Sequence, residues 1–382
     1  MSQKRIVILG AAGRVGSQIC SELLRSNHHV VMTDLLPQKK LEQKAWRLLN
    51  DACLATRHCI GQVSVHGDFD ALDKAALIRL FERESPDLVI NYAIPITWDA
   101  TKQLPNYARI SAAGLGAFTP LQVLVPLLVG EAIAAAGVQC AYMVGNLPDM
   151  TLPVIAGIAR SGTAAMPSCG AGNVGLNHIA LQRQVALDRN CALEDVNVAL
   201  VAHHIHWVAP REPGYSNAAP FLARVKINGE DVTDSFPDVR AVMNNGVQNL
   251  YEPDASFSST TGILASRVAN ALLDDTGATH KLHAPGPNGL PGGYPLSIQG
   301  GQVAVDLPDD WTLEEATAAM RHCHTLNGIE KIEDNGTVHF AQYSRDILRE
   351  EVGLELPGVM SPGDIRQVAS AQIDCLLKRF KQ

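Results

Sequence analysis

The chain has 382 residues, enough for two packed lobes and too many for one small core. Its 46% hydrophobic and 18% charged composition is ordinary for a globular protein, and a net charge of −8 without a dense Lys/Arg cluster argues against a nucleic-acid surface. No breaker-free apolar stretch spans a bilayer, the first strand begins too early for a signal peptide, and the eight cysteines form no CxxC pair; a cytoplasmic protein with free thiols and no membrane partner is expected.

The apolar run Ile6-Val7-Ile8-Leu9 breaks into Gly10, Gly13 and Gly16, and apolar positions then recur at helical spacing through residues 17–24. This predicts a buried parallel strand, a tight turn and an amphipathic helix. Gly10 permits the turn, Gly13 lets backbone approach a pyrophosphate, and Gly16 lets the helix pack on the strand. Arg14 and Val15 open the helix whose N–H groups face the phosphates. A second strand, residues 29–33, ends on Asp34, where a carboxylate meets the adenosine ribose. That carboxylate repels a 2′-phosphate, so NAD is expected over NADP, although Lys39 and Lys40 soften the exclusion.

A helix is predicted over residues 41–54 and a strand over 64–68. Asp68 suits either the adenine edge or the N-cap of a helix beginning near Leu72. The next buried strand, 87–93, brings Asn91 to Pro95, with Ala93, to the crevice at the carboxyl end of the sheet. The apolar stretch 121–138 contains Pro126, Gly130 and Glu131 and is expected to be a core helix. Residues 142–144 form a further strand, after which Asn146 either projects into the crevice or simply makes an Asn-x-Pro turn.

In the second half, residues 196–208 read as a strand running into Ala202-His203-His204-Ile205-His206-Trp207. Period two puts His204 and His206 on one face and His203 on the other. A histidine poised near neutrality is the usual group for taking a hydroxyl proton, so His204 or His206 is the candidate acid/base; satisfied strand-end histidines are the alternative. A helix is expected over 179–187, with His178 at its start. Ser258 to Gly262 precede a helix over 263–273, residues 285–295 form a loop, and 298–307 form a strand. Thr312 and Glu315 make a capping box opening a helix over 311–327. Strands 329–332 and 337–340 are joined by Asn335-Gly336, a hairpin signal, and an amphipathic helix spans 362–380.

No tyrosine stands four residues before a lysine, which disfavours short-chain dehydrogenases. The chain instead resembles the lactate/malate dehydrogenase superfamily, which includes NAD-dependent family 4 glycosidases. The resemblance lies in GAAGRVGS (Gly10 to Ser17), KAWRLLNDA (Lys44 to Ala52), AIP (Ala93 to Pro95), VGNLPD (Val144 to Asp149) and APFLARVKING (Ala219 to Gly229), in the family's order. It implies an α/β fold, with an N-terminal Rossmann doubly wound parallel sheet over residues 1–150 and a C-terminal α+β catalytic domain over 151–382. It also implies a homodimer or homotetramer acting on a small-molecule substrate. Two departures matter. Asn177 stands where the family's Asp orients the catalytic His, and Ala180 stands where an Arg clamps a substrate carboxylate; Arg211 and Arg109 are the candidate replacements. In the glycosidase branch, Asn177, His204 and Trp207 occupy places linked to a divalent metal, and His178 could serve in either scheme. The expectation is an NAD-dependent oxidoreductase acting on a C–OH/C=O group of a small polar metabolite, without metal. The alternatives are an NAD- and metal-assisted lyase or glycosidase, and a non-catalytic NAD-binding protein.

Overall fold

The computed structural model describes residues 2–57, 61–172, 174–212, 215–250 and 258–380; Cys59 and Asn173 lie outside the described residues. The first half alternates strand and helix: β1 (Arg5–Leu9), α1 (Arg14–Arg25), β2 (His29–Thr33), α2 (Gln38–Thr56), β3 (Gln62–His66), α3 (Lys74–Glu84) and β4 (Leu88–Asn91). Two short helices, α4 (Trp98–Thr101) and α5 (Tyr107–Ser111), lead to α6 (Thr119–Ala136), β5 (Ala141–Val144), α7 (Pro148–Ala159) and β6 (Cys169–Gly170). These strands form one parallel sheet in the order β3-β2-β1-β4-β5-β6, a doubly wound arrangement that reverses direction between β1 and β4. The sixth strand comes from beyond residue 150, so the sheet draws on chain past that point.

Both faces of the sheet are covered, which is why its strands are continuously apolar. Ile6 and Ile8 join one core with Leu23, Met32 and Ala269, while Val7 and Leu9 join the other with Phe81, Phe118 and Val144. The segment Leu115–Ala136 is long and apolar enough to cross a membrane, but 89% of its most apolar window is buried within the protein. Pro126 interrupts the amide ladder of α6, and the Tyr142 hydroxyl donates to the Pro126 carbonyl at 2.7 Å.

The second half contributes α8 (Val174–Arg189), β7 (Val196–Val201), α9 (Ile205–Val208), β8 (Leu222–Ile227), β9 (Glu230–Asp231), α10 (Val239–Leu250), α11 (Ser258–Leu273), β10 (His280–Pro285), β11 (Gly293–Gln299) and β12 (Gln302–Val305). It ends with α12 (Leu313–Thr325), β13 (Ile329–Ile332), β14 (Val338–Phe340), α13 (Gln342–Val352), β15 (Val359–Met360) and α14 (Ile365–Arg379). Its strands make three small antiparallel sheets, β7-β8-β9, β10-β11-β12 and β13-β14-β15. Residues of α11 and β11 enter one core of the parallel sheet, and residues of β14, α13 and α14 enter the other.

Several expectations need correction. The strand over 196–208 stops at Val201, because Ala202 exchanges backbone hydrogen bonds with Gly293 and the chain then turns into α9. Helix α8 begins at Val174, so Asn177 and His178 lie inside it, and Ser258 to Gly262 form the first turns of α11. The strand over 298–307 is a hairpin, broken where Gly300 and Gly301 adopt positive φ. Residues 285–295 are not wholly loop, since β11 begins at Gly293. Helix α3 starts at Lys74 under an Asp73 cap.

The capping box at α12 is present: Glu315 N–H donates to Thr312 Oγ1 at 3.2 Å, and the Glu315 carboxylate accepts from Thr312 N–H. Thr312→Ala is expected to destabilise the protein by about 1 kcal/mol in urea unfolding. An unchanged midpoint would show that tertiary packing alone sets this helix end.

Candidate dinucleotide and histidine site

At the switch point the backbones of β1 and β4 nearly touch. Gly10 has φ +77°, and a Cβ there would lie 2.8 Å from Ala93 N. A Cβ on Gly16 would collide with the Gly10 carbonyl. Gly13 is the N-cap of α1, with no side-chain cap and no acidic residue in the first turn. The first turn, opened by Arg14 and Val15, is therefore an anion-compatible helix start against bare backbone. Asp34 closes the far side: its Oδ2 accepts from Ala12 N–H at 2.8 Å and its Oδ1 from Leu36 N–H at 3.0 Å. A carboxylate has lone pairs left for ribose hydroxyls after two such bonds, so these residues fit a dinucleotide. The Arg14 side chain turns away to form an ion pair with Asp99 of α4. Asp68 accepts from Gln38 N–H at 3.0 Å, capping α2 rather than a helix near Leu72.

Asn91 and Asn146 tie the carboxyl ends of β4 and β5 together. Asn91 Nδ2 donates to Asn146 Oδ1 at 2.7 Å, and Asn146 Nδ2 donates to the Ala93 carbonyl at 2.9 Å. Asn146 is only 6% exposed, while Asn91 Oδ1 is buried without a partner. Tyr92 lies against Gly145, and its hydroxyl reaches the Ala171 carbonyl at 2.8 Å.

The three clustered histidines are distinguished by their partners rather than by strand faces. His203 is fully buried; its Nδ1 accepts from Ile205 N–H at 3.3 Å, and its Nε2 is 3.2 Å from Asp149 Oδ2, off the hydrogen-bonding direction. His206 uses both ring nitrogens on backbone: Nδ1 accepts from His203 N–H at 3.0 Å and Nε2 donates to the Ala219 carbonyl at 3.1 Å. His204 differs. Its N–H donates to Asp149 Oδ2 at 2.8 Å, but among the described residues its imidazole makes no hydrogen bond. Burial lowers its pKa; Asp149 works against that shift, Arg211 adds to it, and Glu212 opposes it.

Neighbouring loops complete this corner. Lys102 Nζ reaches Glu212 Oε1 at 3.0 Å and the Tyr107 hydroxyl donates to Glu212 Oε2 at 3.0 Å, which pins the α4–α5 segment to the chain after α9. Arg211 stacks on Trp207 at 4.4 Å and donates from Nε to the Trp207 carbonyl. Arg109 is elsewhere, paired with Glu351 of α13 at 2.8 Å. Asn177 is fully buried, and among the described residues neither amide atom is hydrogen-bonded. His178 lies on another side of α8: its Nε2 donates to the Val198 carbonyl at 3.1 Å and its ring stacks on His283 beside a cavity of about 360 Å³. Among the described residues no group of three or more His, Cys, Asp or Glu is arranged to hold a metal ion.

The structure thus gathers His204 and His206 with Asp149 and His203, holds Asn146 just before Asp149 against Asn91 and Ala93, and directs His178 elsewhere. Asp149, Glu212, Lys102, Tyr107 and His203 are not singled out as site residues by the motifs or by their spacing. The one available signal was the position of Asp149, directly after Asn146-Leu147-Pro148 at a strand's carboxyl end.

Burial pushes the His178 and His206 pKa values down to about 4, below the ordinary 6.5. The unfolded chain therefore binds more protons than the folded one between these values, and stability falls as pH drops through this window. Urea unfolding should show a loss of roughly 2 kcal/mol for each of the two between pH 7.5 and 5. A flat profile would contradict this burial.

The model of the NAD dependent epimerase/dehydratase family matches residues 6–114. No curated protein sequence matches the chain. Among solved structures, the apo malate dehydrogenase from Picrophilus torridus is 14% identical, with TM-score 0.59, over 91% of this chain and 99% of that one. Lactate dehydrogenase from Eimeria maxima, with NADH and oxamate, is 17% identical, with TM-score 0.56, over 85% and 92%. Malate dehydrogenase from Cryptosporidium parvum is 16% identical, with TM-score 0.55, over 85% and 97%. At such identities the likeness is one of architecture: the chain has the fold of lactate and malate dehydrogenases across most of its length.

Proposed function

We propose that the chain is an NAD-dependent oxidoreductase acting on a C–OH/C=O group of a small polar metabolite. The observation that carries this reading is the His204 imidazole, which has no hydrogen-bond partner among the described residues. Its backbone is anchored to Asp149 just beyond β5, in the same sheet whose switch point holds the glycine cradle. Bound NAD would supply the acceptor for a hydride. His204 would take the hydroxyl proton as the C–H electron pair leaves, and return it in the reverse direction.

Asp34 would hold the adenosine ribose and disfavour a 2′-phosphate, so NAD is proposed over NADP. The Asn91–Asn146 pair would fix the crevice floor. The α4–α5 segment, pinned through Glu212 and through Asp99 to Arg14, would keep water from the reacting atoms. With Ala180 where a clamping Arg would stand, Arg211 beside His204 is the proposed contact for a polar end of the substrate. The arrangement of His178 gives a metal-assisted reaction no support.

Calorimetric titration should detect NADH binding, with NADPH weaker by about tenfold or more. Gly16→Val should remove binding of both. Once a screen of small alcohols and keto compounds finds turnover, His204→Gln should lower kcat by about 10²-fold or more with NADH affinity retained. Full activity in that variant would refute the assigned acid/base, and absence of NADH binding would refute the reading as a whole.

A further inference from the structure

Asp149 is fully buried in the first turn of α7. An ionised carboxylate in such a place costs several kcal/mol unless its surroundings compensate it. The compensation here is uneven. Oδ2 accepts from His204 N–H at 2.8 Å and lies 3.2 Å from His203 Nε2, whereas Oδ1 is buried with no hydrogen-bond partner among the described residues. Because His203 Nδ1 accepts from Ile205 N–H, the neutral ring carries its proton on Nε2, the nitrogen nearest the carboxylate. His324 of α12 donates from Nε2 to the Asp149 carbonyl at 3.0 Å and stands edge-on to His203 at 5.2 Å. Among the described residues no lysine or arginine forms an ion pair with Asp149.

A carboxylate held in this way, touching the backbone of His204, whose imidazole makes no hydrogen bond among the described residues, has a use beyond packing. We propose that Asp149 is a positioning residue: it anchors the His203–His206 turn and supplies the fixed negative charge against which His204 gains and loses its proton. The resemblance leads one to expect that charge at residue 177, where a neutral Asn stands with its amide unpaired. Here a carboxylate reaches the histidine turn from a different element, α7. The relevance of this to turnover rests on the proposed oxidoreductase reading; the electrostatic coupling does not.

The groups around His204 are known from each neighbouring element. Asp149 on α7 favours its protonation, as does Glu212 beyond α9; Arg211 opposes it, and burial opposes it most. His203 and His206 on the same turn and His324 on α12 are buried and held towards the neutral form. Asp149 is thus the negative charge closest to the turn, and removing it should make His204 harder to protonate.

The test is an imidazole NMR titration of the cofactor-free full-length protein, with His204→Gln identifying the resonance. In Asp149→Asn, which keeps an oxygen for His204 N–H but loses the charge, the His204 midpoint should fall by about one pH unit or more. An unchanged midpoint in a folded variant would overturn the proposal and leave Asp149 a backbone anchor only. If Asp149→Asn does not fold, Asp149→Ser, which also keeps an oxygen acceptor and loses the charge, should lower the His204 midpoint in the same way, and an unchanged midpoint there would overturn the coupling. Neither readout needs cofactor or substrate, so failure of NADH binding and failure of this coupling are separate results.

Discussion

Everything at the carboxyl ends of the parallel sheet depends on how closely Gly10 approaches the chain leaving β4. Strands β1 and β4 are neighbours, yet their following connections run in opposite directions, and the crevice opens where they part. Any side chain on Gly10 would press into the backbone at Tyr92 and Ala93. That contact holds Ala93 where its carbonyl receives Asn146, and Asn146 in turn leads into the first turn of α7. The helix start at Gly13, the Asp34 carboxylate that accepts from Ala12 N–H and the histidine turn are thus measured from one tight backbone contact.

The second half of the chain is fastened to this frame through Asp149. Its side chain captures His204 N–H and faces His203, while its backbone carbonyl accepts His324 of α12 and Gly292 N–H beside β11. One residue in the first turn of α7 therefore touches three segments of the later chain. Such a buried charge is a poor source of net stability but a strict selector of geometry, because breaking any one contact leaves a carboxylate or an amide unsatisfied. His206 works in the same sense: with both nitrogens on backbone carbonyl and amide groups, it sets the turn, whereas the His204 imidazole makes no hydrogen bond among the described residues.

Much of the N-terminal fold is readable because its determinants are local. Strands buried on two faces have to be continuously apolar, as Ile6 to Leu9 and Val30 to Met32 are, and the glycine spacing marks the turn between them. The Asn335-Gly336 hairpin and the Thr312 cap are equally local and are found as expected. The histidine turn is different. Its path is set by a carboxylate 55 residues earlier and by a bridge from Ala202 to Gly293, and neither leaves a trace in the spacing of residues 196–208. For the same reason a two-residue periodicity cannot separate His204 from His206, since the difference lies in the Ala219 carbonyl. Asp68 shows a smaller version: its positive φ and its bond to Gln38 N–H assign it to α2, an element that precedes it in the chain. The glycine turn is legible from the motif, whereas the partners of the histidines depend on contacts between distant segments.

The most direct test is a crystal structure grown with NAD. The adenosine ribose is expected on Asp34, the pyrophosphate across Gly10 to Gly16 at the start of α1, and the nicotinamide in the crevice beside Asn146 with the His204 imidazole facing it. NAD bound away from Gly10 to Gly16, or a nicotinamide with His204 turned away from the crevice, would contradict the proposed function.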